Sequence, residues 1–148
     1  MPVRKITLAI THYNRFELLV KCFEKVINDD RISEVVIVDD NSSLIVFNRI
    51  LHVFGHHPKI AIYRNNHNLG VYKNKHESVL KSCNDWVIVF DSDNIIGPDY
   101  IDRLYVEPVW DPTIVYCPAQ AKPKFDYRHF SFVHLHNAGM LFKEKQFD

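Results

Sequence analysis

An α/β fold with a mostly parallel central sheet is predicted for this 148-residue chain by three features. Short, largely apolar runs of strand length recur at residues 6–10, 35–38, 60–63 and 87–90. Stretches with apolar residues at helical spacing separate them. A polar cluster follows each run directly, and none falls in the middle of an element. Apolar runs of this kind suit strands buried on both faces, as in a parallel sheet. Strands alternating with helices imply right-handed crossovers in a βαβαβαβ order.

The elements follow in turn. Residues 6–10 form the first strand, which ends at Thr11-His12-Tyr13-Asn14-Arg15. Phe16, Leu19, Val20, Phe23, Val26 and Ile27 then give one helical apolar face. The second strand, 35–38, ends at Asp39-Asp40-Asn41, and Ser42 and Ser43 are suitable N-caps for a helix striped by Phe47, Ile50, Leu51 and Phe54. The third strand, 60–63, leads into a polar loop at 65–70 and a helix lined by Tyr72, His76, Val79, Leu80 and Cys83. The fourth strand is the run Val87-Ile88-Val89-Phe90, and Pro98 opens a short helix over 99–105. Beyond it, strands are expected at 113–116, 129–135 and 138–142, the last two antiparallel, with a Pro-interrupted loop over 118–127.

Length and composition bound the function. The chain is long enough for one domain with one good core. Lys+Arg and Asp+Glu number 18 each, so no strongly basic surface favours nucleic acid. Cys22, Cys83 and Cys117 lack zinc or redox spacing and read as reduced core thiols, which makes a cytoplasmic protein the expectation. No signal-peptide pattern and no run of membrane-spanning length is seen, although peripheral membrane attachment is compatible with the sequence.

The parallel topology would bring all four strand ends to one edge, where open α/β sheets bind ligands. Asp91 and Asp93 close the fourth strand with Ser92 between them. Two carboxylates this close repel each other, and a divalent cation between them and a diphosphate reverses the sign. Asp39 and Asp40 suit a base N–H or ribose hydroxyl, or else the cap of the next helix. Thr11, Tyr13 and Asn14 are placed to contact base or sugar and Arg15 to neutralise phosphate, although Thr11 and Asn14 equally suit ordinary capping. Gly70 precedes a helix start that offers N–H groups to an anion, with Lys73 and Asn74 in its first turn. Lys73 and Lys75 read equally well as solvated charges. His134 and His136 would share a strand face, where His136 is a candidate further metal ligand, though a structural histidine is the commoner case. No GxGxxG or GxxxxGK[ST] phosphate loop occurs, which argues against dehydrogenases and P-loop enzymes.

These motifs together resemble family 2 glycosyltransferases with the GT-A fold. The matching runs are Ile10-Thr11-His12-Tyr13-Asn14-Arg15, Val36-Ile37-Val38-Asp39-Asp40-Asn41-Ser42, Asn68-Leu69-Gly70-Val71 with Lys73-Asn74, and Phe90-Asp91-Ser92-Asp93-Asn94 with Pro98-Asp99-Tyr100. His136-Asn137-Ala138-Gly139-Met140-Leu141-Phe142-Lys143 is similar to the family's later, acceptor-facing strand. The resemblance implies a Rossmann-like three-layer sandwich over residues 1–148, with residues 1–105 binding a nucleotide-sugar. Residues 106–148 would begin an acceptor part that is short or truncated. It also implies metal-dependent transfer of a sugar from a nucleotide diphosphate donor, UDP-sugar favoured, to a glycan, lipid or protein hydroxyl. Thr11, Asp39 and Asp40 would hold the nucleoside. Asp91 and Asp93 would be the DXD motif, with Asp93 the direct ligand of Mn²⁺ or Mg²⁺. Lys73 stands where relatives carry an arginine. No general base is assigned: Glu144 and Asp148 are the nearest later acids. A non-catalytic nucleotide-sugar-binding module is therefore the alternative. A sugar-1-phosphate nucleotidyltransferase would need a Gly-rich basic loop after the first strand, which is missing.

Overall fold

The computed structural model describes residues 4–118, 120–121, 125–126 and 140–143. In chain order the elements are β1 (Ile6–His12), α1 (Phe16–Cys22), β2 (Ile32–Asp39), α2 (Leu44–Phe54), β3 (Ile60–Arg64), α3 (Val71–Leu80) and β4 (Trp86–Asp91). Then come α4 (Pro98–Val106), β5 (Gln120–Ala121), β6 (Phe125–Asp126) and β7 (Met140–Lys143). The main sheet runs β3-β2-β1-β4-β7. Its first four strands are mutually parallel, and β7 is antiparallel to β4. β5 and β6 form a separate antiparallel pair.

Side chains alternate across each strand, so the sheet has two distinct faces. Ile6, Leu8 and Ile10 of β1 share one face with Ile32, Val35, Ile37, Ile88 and Phe90, covered by Leu19 of α1, Ile50 of α2 and Ile101 and Leu104 of α4. Ala9, Val87 and Val89 point the other way, against Val79 of α3. Three layers result, and the core lies mainly on the α1/α2/α4 side. The chain proceeds β1, β2, β3 in one direction and then places β4 on the other side of β1. The sheet therefore changes direction at β1, the position where ligand crevices form in such sheets.

Several expectations need correction. The first helix stops at Cys22 instead of continuing to Ile27. The Cys22 carbonyl accepts from the Ile96 N–H at 2.9 Å, and the Val26 N–H turns to Phe23 O, so the i→i−4 ladder breaks there. Phe23 and Val26 remain buried through the following turns. The third helix ends at Leu80 and buries Asn74, Lys75, Ser78 and Val79, leaving Tyr72, His76, Leu80 and Cys83 outward. Its packed face is polar because each buried polar group finds a partner: the Ser78 hydroxyl, for example, donates to Lys75 O at 2.7 Å. Residues 113–116 hold only a single bridge at Tyr116, since the Asp111 carboxylate accepts from the Thr113 N–H and hydroxyl and turns the chain. Cys22 is buried as expected, Cys83 is exposed, and Cys117 is intermediate. The strand expected at 129–135, His134 and His136 lie outside the described residues. Among the described residues, no helix is long and apolar enough to cross a membrane.

The fully buried centre should dominate stability. Truncating Ile88, which is inaccessible to solvent in β4, is expected to cost about 2–5 kcal/mol. The same change at the half-buried Ile62 should cost less than half as much in urea denaturation at pH 7.

Candidate functional site

The carboxyl ends of β1, β2 and β4 open into one cleft of about 880 Å³. That is within the usual range for small-molecule sites. The register decides who meets whom. Thr11 lies opposite Asp91 across β1/β4, and His12 lies opposite Asp39 across β1/β2. Both register pairs are also side-chain hydrogen bonds: Thr11 Oγ1 donates to Asp91 Oδ1 at 2.8 Å, and His12 Nδ1 contacts Asp39 Oδ1 at 2.9 Å. Thr11 and His12 face opposite ways, so two polar networks form, one on each side of the sheet edge.

On the α1/α2 side, Asp39 is fully buried. Its carboxylate also accepts from the Ser42 hydroxyl and from the Ser42 N–H at 3.0 Å. The Arg15 N–H donates to His12 Nε2 at 3.1 Å. That acceptor role leaves the His12 proton on Nδ1, directed at Asp39. Burial alone would raise the Asp39 pKa, but the hydrogen bonds from His12 and Ser42 outweigh it and hold the carboxyl below its ordinary value. Ser42 Oγ in turn accepts from the Asn14 N–H at 2.8 Å, and Asn14 Oδ1 accepts from the Ser43 N–H at 3.0 Å. Asn14 and Asn41 both sit at positive φ, 51° and 62°, a conformation asparagine tolerates better than most residues. This network ties the loops after β1 and β2 together below the cleft.

On the α3 side, Asp40 gathers the 65–70 loop. Its carboxylate accepts from the Leu69 N–H at 2.7 Å, the Gly70 N–H at 2.9 Å and the Asn65 amide at 2.8 Å. Asn65 also donates to Asn74 Oδ1 at 3.0 Å, and the Asn74 amide donates to Val38 O at 3.2 Å. Gly70 has φ +82°, open to glycine at little cost. One turn further on, Lys75 Nζ donates to Asp91 Oδ2 at 2.9 Å. Across the cleft mouth, Arg15 pairs with Asp93, both side chains being partly exposed. The Cys22 thiol beneath is pushed well up by burial and by the charges of Asp91 and Asp93, which keeps it protonated and inert.

Of the residues singled out in the sequence, Thr11, Tyr13, Arg15, Asp40, Gly70, Asn74, Asp91, Ser92 and Asp93 line this cleft. Asn14, Asp39 and Lys73 do not: the first two brace it from within, and Lys73 points outward. His12, Asn68 and Asn94 also line the cleft, and Lys75 lies behind Asp91. Strand alternation could have separated Asp39 from Asp40. Lys75 could have been found from Val79, four residues on and on the same helix face. The Gly70 N–H, expected to be open to an anion, is already taken by Asp40.

Two outcomes follow. The folded Asp39 carboxyl ionises below its ordinary value of 3.8, so on acidification the unfolded chain takes up this proton first. The stabilisation is complete above about pH 5 and is lost as the pH falls through the folded value. Urea midpoints should therefore decline below about pH 4, and Asp39→Asn should flatten that decline while costing about 1–3 kcal/mol at pH 7. Gly70→Ala adds a Cβ that meets nothing within 4 Å. Its cost should be that of placing alanine at φ +82° and ψ 167°, a region essentially restricted to glycine, about 1–3 kcal/mol, readable in the same assay.

The Glycosyl transferase family 2 model matches residues 7–147 of the chain. No curated protein matches it significantly. Among solved structures, S. aureus TarS 1-349 superposes with a TM-score of 0.65 at 13% identity, covering 95% of this chain and 47% of that one. TarS 1-349 in complex with UDP-GlcNAc gives 0.59 at 19% identity, with 69% and 30% covered. The mannosyltransferase PcManGT from Pyrobaculum calidifontis, in complex with GDP-Man and Mn²⁺, gives 0.69 at 17% identity, with 94% and 44% covered. The chain thus spans less than half the length of these structures, and the likeness is one of fold. The two sheet faces, the strand-end cleft and a family match over nearly the whole chain lead to one conclusion: this chain belongs to glycosyltransferase family 2 and has the GT-A fold.

Proposed function

We propose that the cleft binds a nucleotide diphosphate sugar, a UDP-sugar in first preference, for transfer of the sugar to a hydroxyl of a glycan, lipid or protein. The observation that carries this reading is the convergence of Thr11, Arg15, Asp40, Asp91 and Asp93 on a single cleft in a family 2 chain. The UDP-GlcNAc and GDP-Man in the solved complexes of similar fold support it. Residues 1–105 supply the donor site in this reading, and residues 106–148 belong to the acceptor part.

The donor set fits a divalent cation of the Mg²⁺ or Mn²⁺ type. Among the described residues no three His, Cys, Asp or Glu side chains cluster as a metal cage. Mg²⁺ sites at phosphates need none, since one or two carboxylates and the substrate's own oxygens suffice. Asp91 and Asp93 are the acids available, and the Asp93 side chain is 38% exposed. A bound cation would offset the charge that develops on the departing diphosphate. Thr11 Oγ, whose proton is directed to Asp91, keeps lone pairs for a base N–H, and Asp40 keeps acceptor capacity beyond its loop contacts. Arg15, held at the mouth by an exposed ion pair, can exchange Asp93 for a phosphate at small cost.

The test is thermal unfolding with UDP and UDP-GlcNAc, with and without Mn²⁺. At a hundredfold excess over Kd, binding should raise Tm by roughly 8 °C, only when Mn²⁺ is present, and Asp93→Ala should abolish the shift. A shift that ignores the metal, or none with any nucleotide, sinks the proposal. UDP release across an acceptor panel separates transfer from binding alone.

A further inference from the structure

The geometry points to His12 as a positioning residue for the donor's diphosphate. By accepting the Arg15 N–H on Nε2, it fixes the main chain from which the Arg15 guanidinium reaches the cleft mouth. The inference rests on reading the cleft as a nucleotide-diphosphate site. It starts from an uneven distribution of order within Arg15. The side chain of that residue is loosely held, whereas its main chain is fixed from both sides.

The Arg15 side chain is 55% exposed, and it pairs with the partly exposed Asp93. Exposed pairs of long side chains hold weakly, so this contact does little to aim the guanidinium. At the main chain, the Arg15 carbonyl accepts from the Leu18 N–H at 3.1 Å and the Leu19 N–H at 3.0 Å, the first bonds of α1. The Arg15 N–H donates to His12 Nε2 at 3.1 Å. One residue earlier, Asn14 turns the chain at φ 51° and its N–H donates to Ser42 Oγ at 2.8 Å. His12 and Ser42 thus hold successive amides of the loop, and His12 holds the one that carries the guanidinium.

His12 can serve as that post because its own ring is immobilised. The side chain is fully buried, with Nδ1 2.9 Å from the Asp39 carboxylate, which the Ser42 N–H holds in turn at 3.0 Å. Neutral imidazole donates at one nitrogen and accepts at the other. A single ring therefore links an acid rooted in β2 to a main-chain amide in the loop after β1. Preset in this way, Arg15 has less conformational freedom to lose when it meets a phosphate, and the smaller loss appears as tighter binding. His12 acts on the donor through Arg15.

Calorimetric titration of the full chain with UDP in the presence of Mn²⁺ tests this. Asparagine at position 12 reproduces the Nδ1 donor but not the Nε2 acceptor, and glutamine does the reverse. His12→Asn should therefore weaken UDP binding about tenfold, whereas His12→Gln should stay within about threefold of wild type. Both should lower the urea midpoint, since each loses one of the two ring contacts; a merely structural histidine would weaken binding equally in the two. Arg15→Ala should itself bind UDP more weakly, and adding His12→Asn to it should change affinity by less than about twofold. Equal losses in the two His12 variants, wild-type affinity in His12→Asn or Arg15→Ala, or an undiminished His12→Asn effect in the Arg15→Ala background overturns the inference. The cleft reading survives those outcomes, because wild type still binds UDP. Should wild type bind no UDP with Mn²⁺ present, the cleft reading fails and this inference with it. If either His12 variant does not fold, hydrogen exchange at the Arg15 amide of wild type decides. Protection already present in the free chain, and unchanged by UDP with Mn²⁺, is expected; protection that arises only on binding overturns the inference.

Discussion

Parallel pairing of β1 with β2 on one side and β4 on the other is the constraint on which the rest of the molecule depends. It places Thr11 level with Asp91 and His12 level with Asp39 before any loop is considered. A slip of one residue in either ladder would turn the whole side-chain pattern to the opposite face. Leu8, Ile10, Ile37 and Ile88 are all fully buried, so such a slip would expose a large apolar area. The hydrophobic core thereby enforces the polar geometry at the strand ends.

Two consecutive aspartates then do different work because strand alternation sends them apart. Asp39 is used up inside the protein by His12 and Ser42, whereas Asp40 reaches the other face and gathers the Leu69 and Gly70 amides. Each carboxylate is desolvated, and each is compensated by several donors, as buried acids require. The loops after β1, β2 and β3 are consequently set by hydrogen bonds to acids rooted in the sheet.

Much of this was legible in the amino-acid order. Four apolar runs and the polar clusters that follow them defined the parallel strands and their shared edge. Periodicity failed where a partner distant in sequence decides the outcome. The end of α1 depends on Ile96, whose N–H captures the Cys22 carbonyl. The packed face of α3 is polar, so a search for apolar stripes selects the wrong side; Asn74 and Lys75 are buried where Val38 and Asp91, among others, meet them. The same blindness favoured Lys73 over Lys75 and gave Asp39 a ligand-facing role. The strand expected at 113–116 failed for a local reason, the Asp111 turn.

The segment that carries Asp93 is tethered at successive points. Ser92 N–H bonds to Thr11 O, Asn94 N–H to Asp91 O, and Ile96 N–H to Cys22 O, with the Ile96 side chain buried beneath. Accessibility of the Asp93 side chain therefore does not mean a loose main chain. A ligand binding there would find its anchor already ordered and would lose little conformational entropy in capturing it, which is how an open site can attain affinity without extensive contact area.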